Sequence, residues 1–185
     1  MGNRPEGWLP GVRRAPSPNC DSRPPGAAVT LAVLHSISLP RGAYGGGAIE
    51  RLFTNRLDPG AHPSFAGLAG VRVSAHFLIR RDGALVQFVP LHRRAWHAGA
   101  SRWRGRDRCN DFSVGIELEG VDDAAFAPVQ YRRLAALLGA LAARLPLRAI
   151  AGHSDVAPGR KTDPGAGLDW ARVLGAPAMR RAHYK

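Results

Sequence analysis

The sequence predicts a single domain of the α/β or α+β class built on a mixed β-sheet, and three observations predict it. Val29-Thr30-Leu31-Ala32-Val33-Leu34 is a run of β-branched and aliphatic residues that reads as a buried strand. Two apolar-patterned runs flank Asp82-Gly83, a strong short-range hairpin signal. Leucines 134, 137, 138, 141 and 145 recur at the spacing of a core-facing helix. These elements do not alternate strictly as βαβ units, so parallel and antiparallel pairs are expected together. The 185 residues amount to about one domain. With 45% hydrophobic and 22% charged residues, a packed core can form, which sets aside wholesale disorder, collagen and coiled coil.

In chain order, residues 1–28 hold six prolines and read as an extended arm lying on the domain. The strand 29–34 stops at His35. A Pro/Gly-rich loop from Pro40 to Gly47 follows, then a short amphipathic helix around 48–54 and an irregular stretch with Asp58-Pro59-Gly60 and His62-Pro63. Residues 74–80 and 84–89 form the two hairpin strands. An Arg- and Trp-rich loop leads to Ser113-Val114-Gly115-Ile116-Glu117-Leu118-Glu119, which alternates at period two, with one face to the core and the other carrying Glu117. The leucine helix begins at Pro128 and is closed by Pro146. Residues 147–151 form a short strand ending at Gly152-His153, and a last helix lies near 168–174. Residues 175–185 read as a basic tail.

Net charge is +12, from 26 Lys+Arg against 14 Asp+Glu, and only Lys161 and Lys185 are lysines. An anionic partner fits that balance, but the arginines are scattered rather than set in a stripe between aromatics, so no nucleic-acid partner is expected. The nearest approach is Arg102-Trp103-Arg104-Gly105-Arg106-Asp107-Arg108, a loop-like run that could hold phosphates or carboxylates or simply be solvated. The most apolar stretch, 134–145, is too short for a membrane span and carries Arg144. The N-terminus has no apolar run behind its charges to read as a secretory signal, so a cytoplasmic location is expected. Cys20 and Cys109 could make at most one bridge and no thiolate zinc knuckle.

His35 and His153 each follow a predicted strand, and Asp163 lies ten residues after His153. Two imidazoles and a carboxylate form a set that catalytic zinc uses, with a fourth position left for water. Lys161, two residues before Asp163, points the same way in an extended loop and could hold a developing oxyanion. Yet a histidine at a strand end is more often a structural residue, and Asp163-Pro164-Gly165 is by itself an ordinary turn, so spacing leaves both readings open. Glu117 is equally open. It is either a solvated side chain or, on an internal strand beside Gly115, a cleft carboxyl raised towards general-base duty. Histidines 62, 92 and 183 read as surface residues and His76 as structural.

Five blocks in order carry a family resemblance: 34–40 (LHSISLP), 71–83 (VRVSAHFLIRRDG), 94–99 (RAWHAG), 108–120 (RCNDFSVGIELEG) and 152–165 (GHSDVAPGRKTDPG). From about Trp8 to Leu174 the chain resembles the zinc-dependent N-acetylmuramoyl-L-alanine amidases, and within them the cytoplasmic branch acting on 1,6-anhydro-muropeptides. The resemblance implies a central mixed sheet flanked by helices, the fold of peptidoglycan recognition proteins and phage amidase lysozymes, with the catalytic domain spanning 29–174. It implies Zn2+ held by His35, His153 and Asp163, with Glu117 as acid/base and Lys161 as transition-state stabiliser. An aspartate third ligand, where phage and recognition-protein relatives carry cysteine, agrees with the anhydro-muropeptide branch.

Arg72 and Arg108 match positions that contact the muropeptide, and Trp96 with His97 matches the sugar pocket. Ser36 stands where the family usually has the asparagine that holds the sugar. The implied role is a monomeric amidase of cell-wall recycling that cuts between the lactyl group of muramic acid and L-alanine, and so lowers the muropeptide signal that induces a β-lactamase. A broad peptidoglycan amidase and a non-catalytic peptidoglycan-binding domain are the rival readings. The second would need none of the ligand set, Glu117 or Lys161.

Overall fold

The structure, a computed structural model, describes residues 7–175. Ten strands and four α-helices run in the order β1 (Arg13–Arg14), β2 (Cys20–Ser22), β3 (Leu31–Ile37), α1 (Ala48–Phe53), β4 (Phe77–Ile79), β5 (Leu85–Gln87), β6 (Arg93–Ala95), β7 (Arg102–Trp103), β8 (Arg106–Asp107), β9 (Ser113–Glu119), α2 (Pro128–Ala142), β10 (Ala149–Gly152), α3 (His153–Val156) and α4 (Trp170–Leu174). Six strands form one sheet in the order β1-β5-β4-β9-β3-β10. Only the β4–β5 hairpin is antiparallel, so the sheet is mixed, as expected.

Because side chains alternate across a strand, the register assigns each residue to a face. Ala32 and Leu34 of β3 lie beside Val114 and Ile116 of β9, and with Phe77 and Ile79 of β4 they pack on leucines 134, 137, 138 and 141 of α2. The opposite face is covered in two parts. On the β4–β5 side, Leu78, Val86 and Phe88 meet Ile49, Leu52 and Phe53 of α1. On the β10 side, Leu31, Val33, Ala149 and Ala151 meet Ala98, Cys109, Phe112 and Val156. His35 and Glu117 lie between these two clusters on that face. Gln130 ties α2 to the sheet by donating to the carbonyls of Ile79 and Glu119, while its Oε1 accepts from the Ala127 amide at the helix start.

Several element readings change. The strand predicted at 29–34 runs from Leu31 to Ile37, because pairing with β9 continues through His35↔Glu117 and Ile37↔Glu119, so His35 lies within the strand rather than beyond it. The hairpin strands shorten to 77–79 and 85–87. All seven residues of β9 are buried, since both faces of this central strand are covered, so of the two readings left open for Glu117 the solvated one does not hold. The leucine helix ends at Ala142, three residues before Leu145.

The arm carries two short edge strands, β1 beside β5 and β2 beside β6, and its prolines lie outside both. Arg23 fixes it by donating to the carbonyls of Leu91, Asn110, Asp111 and Ser113. The run 102–108 is a hairpin, β7–β8, rather than a loop. Both cysteines are free. Among the described residues no helix is long and apolar enough to cross a membrane. The basic tail beyond Gly175 and His183 lie outside the described residues.

Candidate metal centre and active site

His35 and Glu117 are register partners on adjacent parallel strands, so their side chains emerge next to one another on one face. His153, two residues after Ala151, keeps that face's parity as β10 turns into α3. The loop after α3 folds back, with the Ser154 amide donating to the Asp163 carbonyl at 2.8 Å, and this returns the Asp163 carboxylate to the two imidazoles. His35 Nδ1 and His153 Nδ1 are 2.9 Å apart, and each lies 3.1 Å from Asp163 Oδ2. The three atoms form a nearly equilateral triangle. Ligands at about 2.0–2.1 Å from a tetrahedral zinc stand about 3.3 Å apart, so the triangle is within a few tenths of an ångström of that geometry.

The other ring nitrogens decide which atoms face the centre of this triangle. His153 Nε2 lies 3.2 Å from the Ala98 carbonyl, which can only accept, so Nε2 carries the proton and Nδ1 presents its lone pair inward. His35 Nε2 meets His97 Nδ1 at 3.0 Å, and His97 Nε2 meets Ser113 Oγ at 3.1 Å. A proton on each Nε2 satisfies this chain and leaves His35 Nδ1 bare. Burial pushes the His35 imidazole down to about 4, with Asp163 only partly offsetting it, so the ring is neutral. Two neutral lone pairs 2.9 Å apart repel unless a cation lies between them. The donor set therefore fits a divalent metal, and its supporting hydrogen bonds orient it as ligand histidines require.

Glu117 is buried, and among the described residues its Oε2 has no hydrogen-bond partner. Desolvation, followed by the negative charge of Asp163, raises its carboxyl well above the usual range, while the Lys161 ammonium partly opposes the shift. Asp163 goes the other way. Burial would raise it, but its contacts with His153 and His35 hold it well below the ordinary carboxylate range. The site thus holds one carboxylate kept ionised and one that can carry a proton. Lys161 is exposed and in electrostatic reach of both Glu117 and His35.

The remaining expected site residues are dispersed. The Ser36 hydroxyl, next to His35, donates to Asp122 Oδ1 at 2.5 Å, and Thr162 donates to the other oxygen of the same carboxylate. His97, expected at the sugar, packs its ring against His35 with centroids 5.1 Å apart. The Trp96 side chain bonds Asp21 on the arm. Arg108 is exposed with Nε 3.3 Å from Asp111, and Arg72 is exposed before β4 beside Leu52 and Asn55. No hydrogen bond or ion pair joins Arg72, Trp96 or Arg108 to the metal cluster among the described residues.

Sequence reading missed Asp122, Ser113 and Arg160. Arg160 donates to the carbonyls of Ala98 and Ala100 and so holds the segment on which His153 rests. None of the three stands in a local pattern that marks it. Gly115 did carry a signal, as a glycine in a buried strand. A Cβ there would meet the His97 ring at 2.5 Å, so the glycine makes room for that imidazole.

Residues 25–166 match the family described as N-acetylmuramoyl-L-alanine amidase. The chain is 57% identical over 169 residues to the 1,6-anhydro-N-acetylmuramyl-L-alanine amidase AmpD of Citrobacter freundii, covering 90% of each chain. A crystal structure of a selenomethionine AmpD derivative superposes with TM-score 0.89 at 55% identity, over 92% of this chain and 97% of that one. The Escherichia coli amidase AmiD, solved with the substrate anhydro-N-acetylmuramic acid-L-Ala-D-γ-Glu-L-Lys, is similar at TM-score 0.59 and 28% identity, over 83% of this chain and 60% of that one.

Proposed function

The chain belongs to the N-acetylmuramoyl-L-alanine amidase family, and from that premise we propose that it is a zinc-dependent amidase of cell-wall recycling, cutting anhydro-muropeptides between the lactyl group of 1,6-anhydro-N-acetylmuramic acid and L-alanine. The observation that carries the reading is the convergence of His35, His153 and Asp163 beside a buried Glu117 whose Oε2 has no partner. A pure recognition domain has no use for that pairing of a ligand triangle with a carboxyl held ready to exchange a proton. Similarity to relatives named for the anhydro sugar supports the substrate class.

Zn2+ at the two Nδ1 atoms and Asp163 Oδ2 would polarise the scissile carbonyl and make water a stronger acid. Glu117 takes the proton from the attacking water and returns it to the departing alanine amine, which its raised pKa allows it to hold in between. Lys161 faces the oxyanion that develops on the carbonyl oxygen. His97, Ser113 and the Ala98 carbonyl keep both imidazoles in one tautomer through the cycle. Arg72 and Arg108 meet the carboxylates of the stem peptide, Trp96 borders the sugar, and Ser36 acts through Asp122. In this reading residues 29–174 are the catalytic unit, the arm braces it, and the protein works as a cytoplasmic monomer whose turnover lowers the muropeptide signal for β-lactamase induction.

The test is to incubate the protein with anhydro-muramyl tripeptide and, separately, with the same tripeptide on an ordinary reducing sugar, with and without chelator, reading products by mass spectrometry. Chelator-sensitive release from the anhydro form alone is expected. Cleavage of both would make it a broad amidase, and binding without cleavage a recognition domain.

A further inference from the structure

Part of the positive charge gathers away from the metal centre. The β7–β8 hairpin turns through Arg104 and Gly105, both at positive φ (47° and 82°), the conformation a two-residue turn of this hand requires. That turn sets Arg104 and Arg106 at one cleft of about 230 Å3, where Arg148, from the residue before β10, joins them. Arg106 lies 4.0 Å over the Phe112 ring and Arg104 5.6 Å over Trp103, so both guanidiniums are held by stacking with their N–H edges still free. Among the described residues none of these three guanidiniums has a carboxylate within ion-pair distance or donates a hydrogen bond to the protein, whereas the flanking Arg102 and Arg108 pair with Asp107 and Asp111. Thr30, whose hydroxyl has no partner, lines the same cleft. Leu31 at its wall precedes His35 by four residues on β3, about 13 Å at the rise of a strand, so the cleft is separate from the metal centre.

We propose that this cleft is a second ligand site, for a phosphate monoester. Three guanidiniums and a hydroxyl lining one cleft match a compact dianion with oxygens in several directions, which a monocarboxylate does not fill. Trp103, only partly buried at the cleft, favours an ester whose organic part is a ring. A nucleic-acid backbone would call for a track of cations, whereas these three line a single cleft.

Isothermal titration of the zinc-loaded protein at fixed ionic strength tests it, with phenyl phosphate, inorganic phosphate and benzoate as probes. Phenyl phosphate should bind saturably, about tenfold or more tighter than benzoate. The Arg104→Gln/Arg106→Gln double variant and Arg148→Gln should each weaken it by about tenfold or more, while Glu117→Gln should not. Amide hydrolysis and melting temperature should stay unchanged in the arginine variants, which separates this site from the amidase reading. Equal affinity in the arginine variants would assign the binding to the metal centre and overturn the proposal. So would equal binding of benzoate, no saturable binding of phenyl phosphate, or a preference for duplex DNA with a steep salt dependence.

Discussion

Glu117 acquires its chemistry from what surrounds it. Burial on a central strand and the fixed charge of Asp163 both disfavour its ionised form, and its unpartnered Oε2 leaves the carboxyl free to exchange a proton. Glu117→Gln keeps the volume and removes only that exchange. It should retain one zinc per chain by elemental analysis while turnover falls about 10²- to 10⁴-fold; wild-type turnover would remove Glu117 from the base role. His97 acts one step further out, on the orientation of His35. His97→Ala should weaken zinc binding about 10- to 100-fold in a chelator competition. Unchanged zinc affinity would mean that the ring only fills space.

At the scale of elements, β9 organises the site. It lies between β4 and β3, and its register sets Glu117 beside His35 and Gly115 beneath His97. Glu119, on the same face, accepts from the amides of Gly45 and Arg81 and so anchors the loop after β3 and the hairpin turn. Shape matters here as much as charge. Gly115→Ala puts a Cβ where the His97 imidazole lies, in a ring hydrogen-bonded at both nitrogens beside a buried central strand. The variant should lose zinc affinity together with about 1–3 kcal/mol of stability in urea unfolding. A variant with native zinc affinity would show that the ring can reseat without disturbing His35.

For the molecule as a whole, the proposed metal centre joins segments far apart in sequence: His35 is 118 residues from His153 and 128 from Asp163. Without a cation the two facing lone pairs would repel, so metal binding at this site should be coupled to folding. At a thousandfold excess of zinc over its dissociation constant this linkage amounts to about 4 kcal/mol. For a chain of this size, chelation should then lower the melting temperature by roughly 10 °C, read by calorimetry. A melting temperature indifferent to chelator would mean that the three side chains do not hold a metal that stabilises the fold.

Periodicity and turn chemistry are local properties, and they located the buried strand before His35, the Asp82-Gly83 hairpin, β9 and α2 to within a few residues. The proposed ligand triad and Glu117 rest on blocks of residues in order, since spacing alone left His35, His153 and Asp163 ambiguous. Other features had no local signature. That His35 sits inside its strand depends on how far β9 continues to pair with it. Asp122, Arg160 and Ser113 gain their roles from groups 86, 62 and 16 residues away in sequence. The run 102–108 has the composition of a solvated loop, and only its pairing as β7–β8 makes part of it a cleft. Sequence by itself determined the class of fold and the kinds of groups available for chemistry, because residue type and local period fix those. The tertiary structure decided which atoms face one another and which charges stay unpaired, because burial and proximity exist only once distant segments have packed.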